Sequence, residues 1–229
     1  MSINFDADFS SGVASFEAKN FSQAMKFLYP LADAGNPDAQ HRVAIMFQNG
    51  LGMVRNEKMA EQMMRASAEQ GYALAQHGLG FMYLEGDCVD QDSAKAVEWF
   101  RKAAEQGDTR AMINIARMYA SGQGVDKDEA EGRKWLEQAA GGGDTQAMVQ
   151  LGILYKTGKG VDKNPAMSTQ WFGLAAAKGD PVAQHNLGLS YFTGEGNRKD
   201  YAESVKWHRK AAGKGYPPAE YSMGLRYDK

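Results

Sequence analysis

The chain has 229 residues, 43% hydrophobic and 24% charged, with a formal net charge of −2. That is the composition of a folded globular protein and excludes a disordered one. A balance so near neutral gives no general attraction to nucleic acid or anionic membrane, and no apolar run approaches the about 18 residues that cross a bilayer. The first residues, MSINFDADFSSG, lack a basic segment ahead of an apolar stretch, so they do not read as a secretory leader. Cys88 is the only cysteine. No intrachain disulfide can form, and a reducing, cytoplasmic setting is expected, or a periplasmic or secreted one if a leader has been removed. Charge drifts along the chain, from −5 over residues 1–90 through 0 over 91–164 to +3 over 165–229.

From residue 21 onward the sequence repeats itself every 36 residues without an insertion. Glycine marks the beat at Gly35, Gly71, Gly107, Gly143, Gly179 and Gly215. Alanine follows at Ala39, Ala75, Ala111, Ala147, Ala183 and Ala219, and an aromatic at Phe47, Tyr83, Tyr119, Tyr155, Tyr191 and Tyr227. Tryptophan falls at Trp99, Trp135, Trp171 and Trp207, with Phe27 and Met63 in the two earlier slots.

Each unit reads as two helices. In the first, such as 183–194, Ala183, Leu187 and Tyr191 stand four apart on one face. A mid-helix glycine (Gly80, Gly152, Gly188, Gly224) costs about 1 kcal/mol in propensity, so its recurrence implies close helix–helix approach, with Ala44 and Ala116 in the same slot. A loop with paired glycines follows, as in Gly122-Gln-Gly124. The second helix then opens on Asn56, Asp92, Asp128, Asn164 or Asp200, whose side chains suit an N-cap. In 92–107 an apolar stripe runs through Ala96, Trp99, Phe100 and Ala103, and Trp is expected to anchor each hairpin. The recurring glycine closes this helix through positive φ. Pro37, Pro181 and Pro217 stand at the first turn of the next helix, where a missing N–H costs nothing. One hairpin buries a stripe from each helix, and stacking hairpins buries the rest.

Residues 99–125, WFRKAAEQGDTRAMINIARMYASGQGV, and 171–196, WFGLAAAKGDPVAQHNLGLSYFTGEG, resemble the Sel-one-like repeat family, a relative of the tetratricopeptide repeats. The resemblance implies an all-α fold, a right-handed α/α superhelix or solenoid of helix-turn-helix repeats. It covers essentially the whole chain, as a single domain over 1–229. A divergent first hairpin occupies 1–35, with Asn20-Phe21 at its turn. Repeats start near 36, 72, 108, 144 and 180, and an unpaired helix over 216–229 either caps the stack or precedes further repeats. Secreted, cysteine-rich members staple each hairpin with a disulfide; here packing alone must hold them. The resemblance implies scaffolding and no reaction, and fold does not carry a partner's identity with it.

If Ala39, Val43 and Phe47 face the second helix, His41, Arg42, Ile45 and Asn49 point the other way, at about 100° per residue. In related repeats that face lines a concave groove. The same phases give His77, Phe81, Asn114, Arg117, Gln150, Ile153, Lys156, His185, Asn186 and Tyr221. These positions vary from repeat to repeat while the core positions hold, although Ile45, Ile153 and Leu189 also suit packing between hairpins. His41, His77 and His185 share one repeat phase. Successive hairpins lie about 10 Å apart, too far to share a zinc ion held at about 2 Å, so half-buried structural rings are expected. His208, beside Trp207, is expected at an exposed rim.

The acidic loops at 86–92, 124–128 and 160–164 lack the spacing and closing Glu of an EF-hand. Cys88 replaces the second loop glycine and has no His-bearing motif beside it. Phosphate-loop, nucleophile-elbow and zinc-helix motifs are missing from the sequence. The expected function is therefore an adaptor binding a protein or peptide, without cofactor, metal, nucleic acid or membrane insertion, as a monomer or a weak self-associator. Two further readings are a cell-envelope factor that binds glycan or peptidoglycan, with weak hydrolysis as in some relatives, and a module that self-associates through its terminal helix.

Overall fold

A computed structural model describes residues 5–227, with side chains from residue 6 to residue 223. It divides into two compact units, Met1–Lys127 and Asp128–Lys229. The first holds α1 (Phe5–Glu17), α2 (Phe21–Asp33), α3 (Pro37–Asn49), α4 (Glu57–Glu69), α5 (Ala73–Glu85), α6 (Ser93–Glu105) and α7 (Thr109–Ser121). The second holds α8 (Glu129–Gly141), α9 (Thr145–Thr157), α10 (Pro165–Ala177), α11 (Pro181–Thr193), α12 (Tyr201–Ala212) and α13 (Pro217–Tyr227). Within each unit every helix packs on its neighbours in the chain, so each unit is a row of helix-turn-helix repeats.

The caps are local chemistry repeated. Asn56, Asp92, Asp128, Asn164 and Asp200 accept the backbone N–H of Met59, Lys95, Glu131, Met167 and Glu203, each three residues on. Helices α3, α7, α9 and α11 carry caps of the same kind at Asn36, Asp108, Asp144 and Asp180. Each such cap stabilises its helix by about 1 kcal/mol. Pro37 and Pro181 occupy the first turn as expected, and α13 begins at Pro217. The loop slot filled by Gly52, Gly124, Gly160 and Gly196 carries Cys88 at φ +66, a left-handed conformation that disfavours a side chain. Cys88 is half-buried there.

Packing corrects the expected anchor. Ala96, Phe100 and Ala103 are wholly buried, whereas Trp99 lies half-exposed at the stripe's edge with the Lys102 ammonium 4.0 Å from its ring. Trp135, Trp171 and Trp207 are half-buried in the same way. The anchor is the following residue: Leu28, Met64, Phe100, Leu136, Phe172 and His208 all lie at one repeat phase and are 5% exposed or less. The mid-helix glycines confirm it. A Cβ on Gly80 would sit 2.8 Å from the Phe100 ring, and one on Gly152 would sit 2.7 Å from that of Phe172. Removing the Cβ lets a flat ring slide under the facing helix, a fit that a bulkier indole at the preceding angle does not make.

His208 is the second correction. It is not a rim residue but is fully buried, because it stands in the slot that carries Phe100 and Phe172. A Cβ on Gly188 would lie 2.7 Å from its Nδ1, and Nδ1 lies 2.9 Å from the Ser204 carbonyl oxygen. Gly224 and Tyr227, which continue two sequence series, lie outside the residues with described side chains.

Candidate functional site

The second-helix stripe packs against one side of each first helix; of the predicted residues, Phe81, Arg117, Lys156 and Tyr221 are exposed, whereas His77 and His185 touch the stripe through Phe100 and His208. In the first unit the predicted residues lie on α3, α5 and α7. His41 is half-buried and its ring meets Tyr72 edge-on at 5.5 Å. Arg42 is held by Asp38 at 2.6 Å and Glu17 at 3.4 Å and covers Phe16, so little of its charge faces outward. His77 packs on the Phe100 ring at 5.5 Å and pairs with the amide of Asn114 at 3.2 Å. Arg117, exposed on α7, donates to Asn114 at 3.4 Å. Phe81 stays 45% exposed despite its size. His41, Ile45, His77 and Phe81 meet across a groove of about 300 Å³, which Leu74 and Arg110 also line.

The histidines there are structural rings. Burial lowers the His41 pKa to about 4, opposed by Asp38 and reinforced by Arg42, Arg110 and His77. Burial likewise lowers that of His77, with Asp108 opposing. Both are neutral at pH 7, which suits them to an apolar wall.

In the second unit, Gln150, Ile153 and Lys156 project from α9 and His185, Asn186 and Leu189 from α11. Lys156 donates to Asn186 at 2.9 Å, a bond between two successive first helices. Lys156 and Leu189 also line a smaller groove of about 170 Å³ with Phe192 and Glu195. His185 packs edge-on against His208 at 5.1 Å and Tyr216 at 5.5 Å. Tyr221, on α13, is 69% exposed.

In the same unit, and joined to the groove by the Gln48–Asp87 bond of 2.7 Å, a polar basin of about 650 Å³ runs along the 86–92 loop. Arg55 there bridges Asp87 and Glu57 at 2.9 Å, and Cys88 lies beside Asp87. Burial and the Asp87 charge raise the Cys88 pKa, with Arg55 opposing. The sulfur rests as a thiol, the weaker nucleophile. Among the described residues no group of three or more His, Cys, Asp or Glu is placed to hold a metal ion, and no helix is long and apolar enough to cross a membrane.

The Sel1 repeat model matches residues 15–36, 37–72, 73–108, 109–144, 145–180 and 181–216 in unbroken succession. The chain belongs to the Sel1 repeat family. It is 30% identical to c5321, a protective antigen of uropathogenic Escherichia coli strains displaying an SLR fold, with a TM-score of 0.87 over 98% of this chain and 49% of that one. The chain thus spans about half the length of that relative. It is 33% identical to a Sel1 repeat protein from Oxalobacter formigenes, with a TM-score of 0.80 over 90% of this chain and 84% of that one. A Pseudomonas aeruginosa protein, 5086, shares the fold at 15% identity, with a TM-score of 0.55 over 96% of this chain and 85% of that one. No curated protein matches the chain.

Within this Sel1 repeat framework, sequence reasoning missed Leu74 and Arg110. Both occupy the second residue of a first helix, where the series runs Asp38, Leu74, Arg110, Gln146, Val182, Pro218. That position varies as freely as the predicted phases, and its variability was the available signal.

Proposed function

We propose that the chain is a protein-binding scaffold rather than an enzyme, and that its first-helix faces hold a protein or peptide partner. The observation that carries this reading is the exposure of large apolar side chains on those faces: Leu74 and Phe81 on α5, Ile153 on α9 and Tyr221 on α13. Polar side chains stand among them and bond between successive first helices, His77 with Asn114 and Lys156 with Asn186. Exposed apolar area with fixed polar groups around it is what a partner can dehydrate and bind in register. Second helices also expose Leu174 on α10 and Tyr201 on α12; the first-helix faces add to their apolar side chains these bonds from one repeat to the next.

Replacing Asn114, Arg117 and Gln150 together by Ala tests it. These side chains are exposed or half-buried, so helicity and the unfolding midpoint should stay within error. Partners captured by the wild-type chain should be lost from the triple variant. An identical set of partners on both would overturn the assignment to this face.

A further inference from the structure

On α5, Leu74, His77 and Phe81 stand three and four residues apart and so share one face. They border the groove of about 300 Å³ between α3 and α5. Its floor exists because of Gly78. The equivalent residues are Arg42, Asn114, Gln150 and Asn186, each long enough to fill the space, and the shorter Ser222 on α13, whereas Gly78 places nothing over the Met64 sulfur, which a Cβ would approach to 2.8 Å. Gly78 thus borders a pit lined by Ile45, Met64, Leu74 and Phe81.

The most exposed charge lining the groove is a cation. Arg110 has 60% of its side chain exposed, while Asp108, 3.1 Å away, has 6% and is committed to the backbone N–H groups of Arg110 and Ala111 as the α7 cap. Of the other nearby acids, Asp38 holds Arg42 at 2.6 Å, and Asp87 accepts from Gln48 at 2.7 Å and pairs with Arg55. Each of these acids is already engaged by the protein and the Arg110 side chain is largely exposed, so an arriving carboxylate meets a cation over an apolar cavity.

We propose that this pit takes one large apolar side chain of a partner peptide whose neighbouring residues carry carboxylates that pair with Arg110. The proposal rests on the scaffold reading and names the partner's chemistry at one place on it. A pit of this size suits a Leu, Met, Phe or Trp side chain. His41, with a pKa of about 4 and Asp38, Arg42, Arg110 and His77 around it, stays neutral above pH 6. Affinity should therefore be flat between pH 6 and pH 8.

The test is a selection of random heptapeptides on the intact chain, followed by fluorescence polarisation with synthetic peptides from the enriched set. The expected motif is one large apolar residue with Asp or Glu within a few positions. Gly78→Gln, which gives the pit the residue Gln150 provides in another repeat, should weaken binding about tenfold or more, as should Phe81→Ala. Arg110→Glu should weaken acidic peptides by a similar factor and favour the same peptides with Lys in place of the acid. Circular dichroism melts of each variant verify that the fold survives. No enrichment, a motif without acids, or equal binding to Gly78→Gln and Arg110→Glu would overturn the proposal. The scaffold reading would fall separately, only if the first-helix faces made no partner contact.

Discussion

Hairpins α5–α6 and α11–α12 are the same device built from different chemistry. In the first, Gly80 lies on Phe100, with Ala96 one turn before it; in the second, Gly188 lies on His208, with Ser204 one turn before it. The separations are nearly equal, 2.8 Å and 2.7 Å from a would-be Cβ. The first contact is wholly apolar. The second is tied by hydrogen bonds, with the Ser204 hydroxyl donating to the Gly188 carbonyl oxygen at 2.8 Å and the His208 ring fixed at the Ser204 carbonyl. Hairpin α9–α10 stands between them, with Ser168 donating to the Gly152 carbonyl at 2.7 Å and Phe172 as the ring. Shape is therefore the invariant requirement, and polarity is accommodated at the Ser204 hydroxyl and the His208 Nδ1, which find backbone partners. The difference between them is one of bonding rather than of shape.

The largest expected effect breaks the apolar version. Phe100→Ala removes a fully buried ring from beneath Gly80 and should cost about 3–5 kcal/mol, read as a lower midpoint in urea unfolding. Next comes acid. His41 in the first unit has its pKa lowered from 6.5 to about 4, so the folded chain binds fewer protons than the unfolded chain between those values. Its contribution is complete above about pH 6.5 and is lost as pH falls toward 4, by on the order of 3 kcal/mol. Urea midpoints at pH 7 and pH 4.5 measure the loss, and His41→Phe should flatten it. Third, His208→Phe reproduces the Ser168–Phe172 arrangement of α9–α10. Because shape is kept, stability read from urea unfolding should change by less than about 1.5 kcal/mol. The smallest effect concerns Cys88. Restoring glycine at φ +66 should stabilise the chain by about 1 kcal/mol, visible as a slightly higher melting temperature.

The period, the helix pairs, the second-helix caps and the close-approach glycines were all legible in the sequence, because each is a short-range requirement repeated in phase. Trp was assigned the anchor because it is the more conspicuous apolar residue. The structure prefers its neighbour because only that side chain points straight at the facing glycine. His208 was misread for a related reason: a polar residue beside Trp207 looks exposed until its phase is compared with Phe100 and Phe172. At the candidate site, the outward face of the first helices followed from angular position alone. The pit at Gly78 did not. It depends on a side chain that is missing at one repeat, and on Arg110 reaching in from α7 over α5.

The most direct test of the account is a photo-crosslinking scan in the native host. Benzoylphenylalanine is placed in turn at Phe81, Arg117 and Lys156 on first helices, and at Glu98, Lys134 and Gln170, exposed positions on second helices. The account predicts crosslinks to a common protein partner from the first set and background from the second. Crosslinks confined to Glu98, Lys134 and Gln170 would contradict it and move the binding surface to the other side of the repeats.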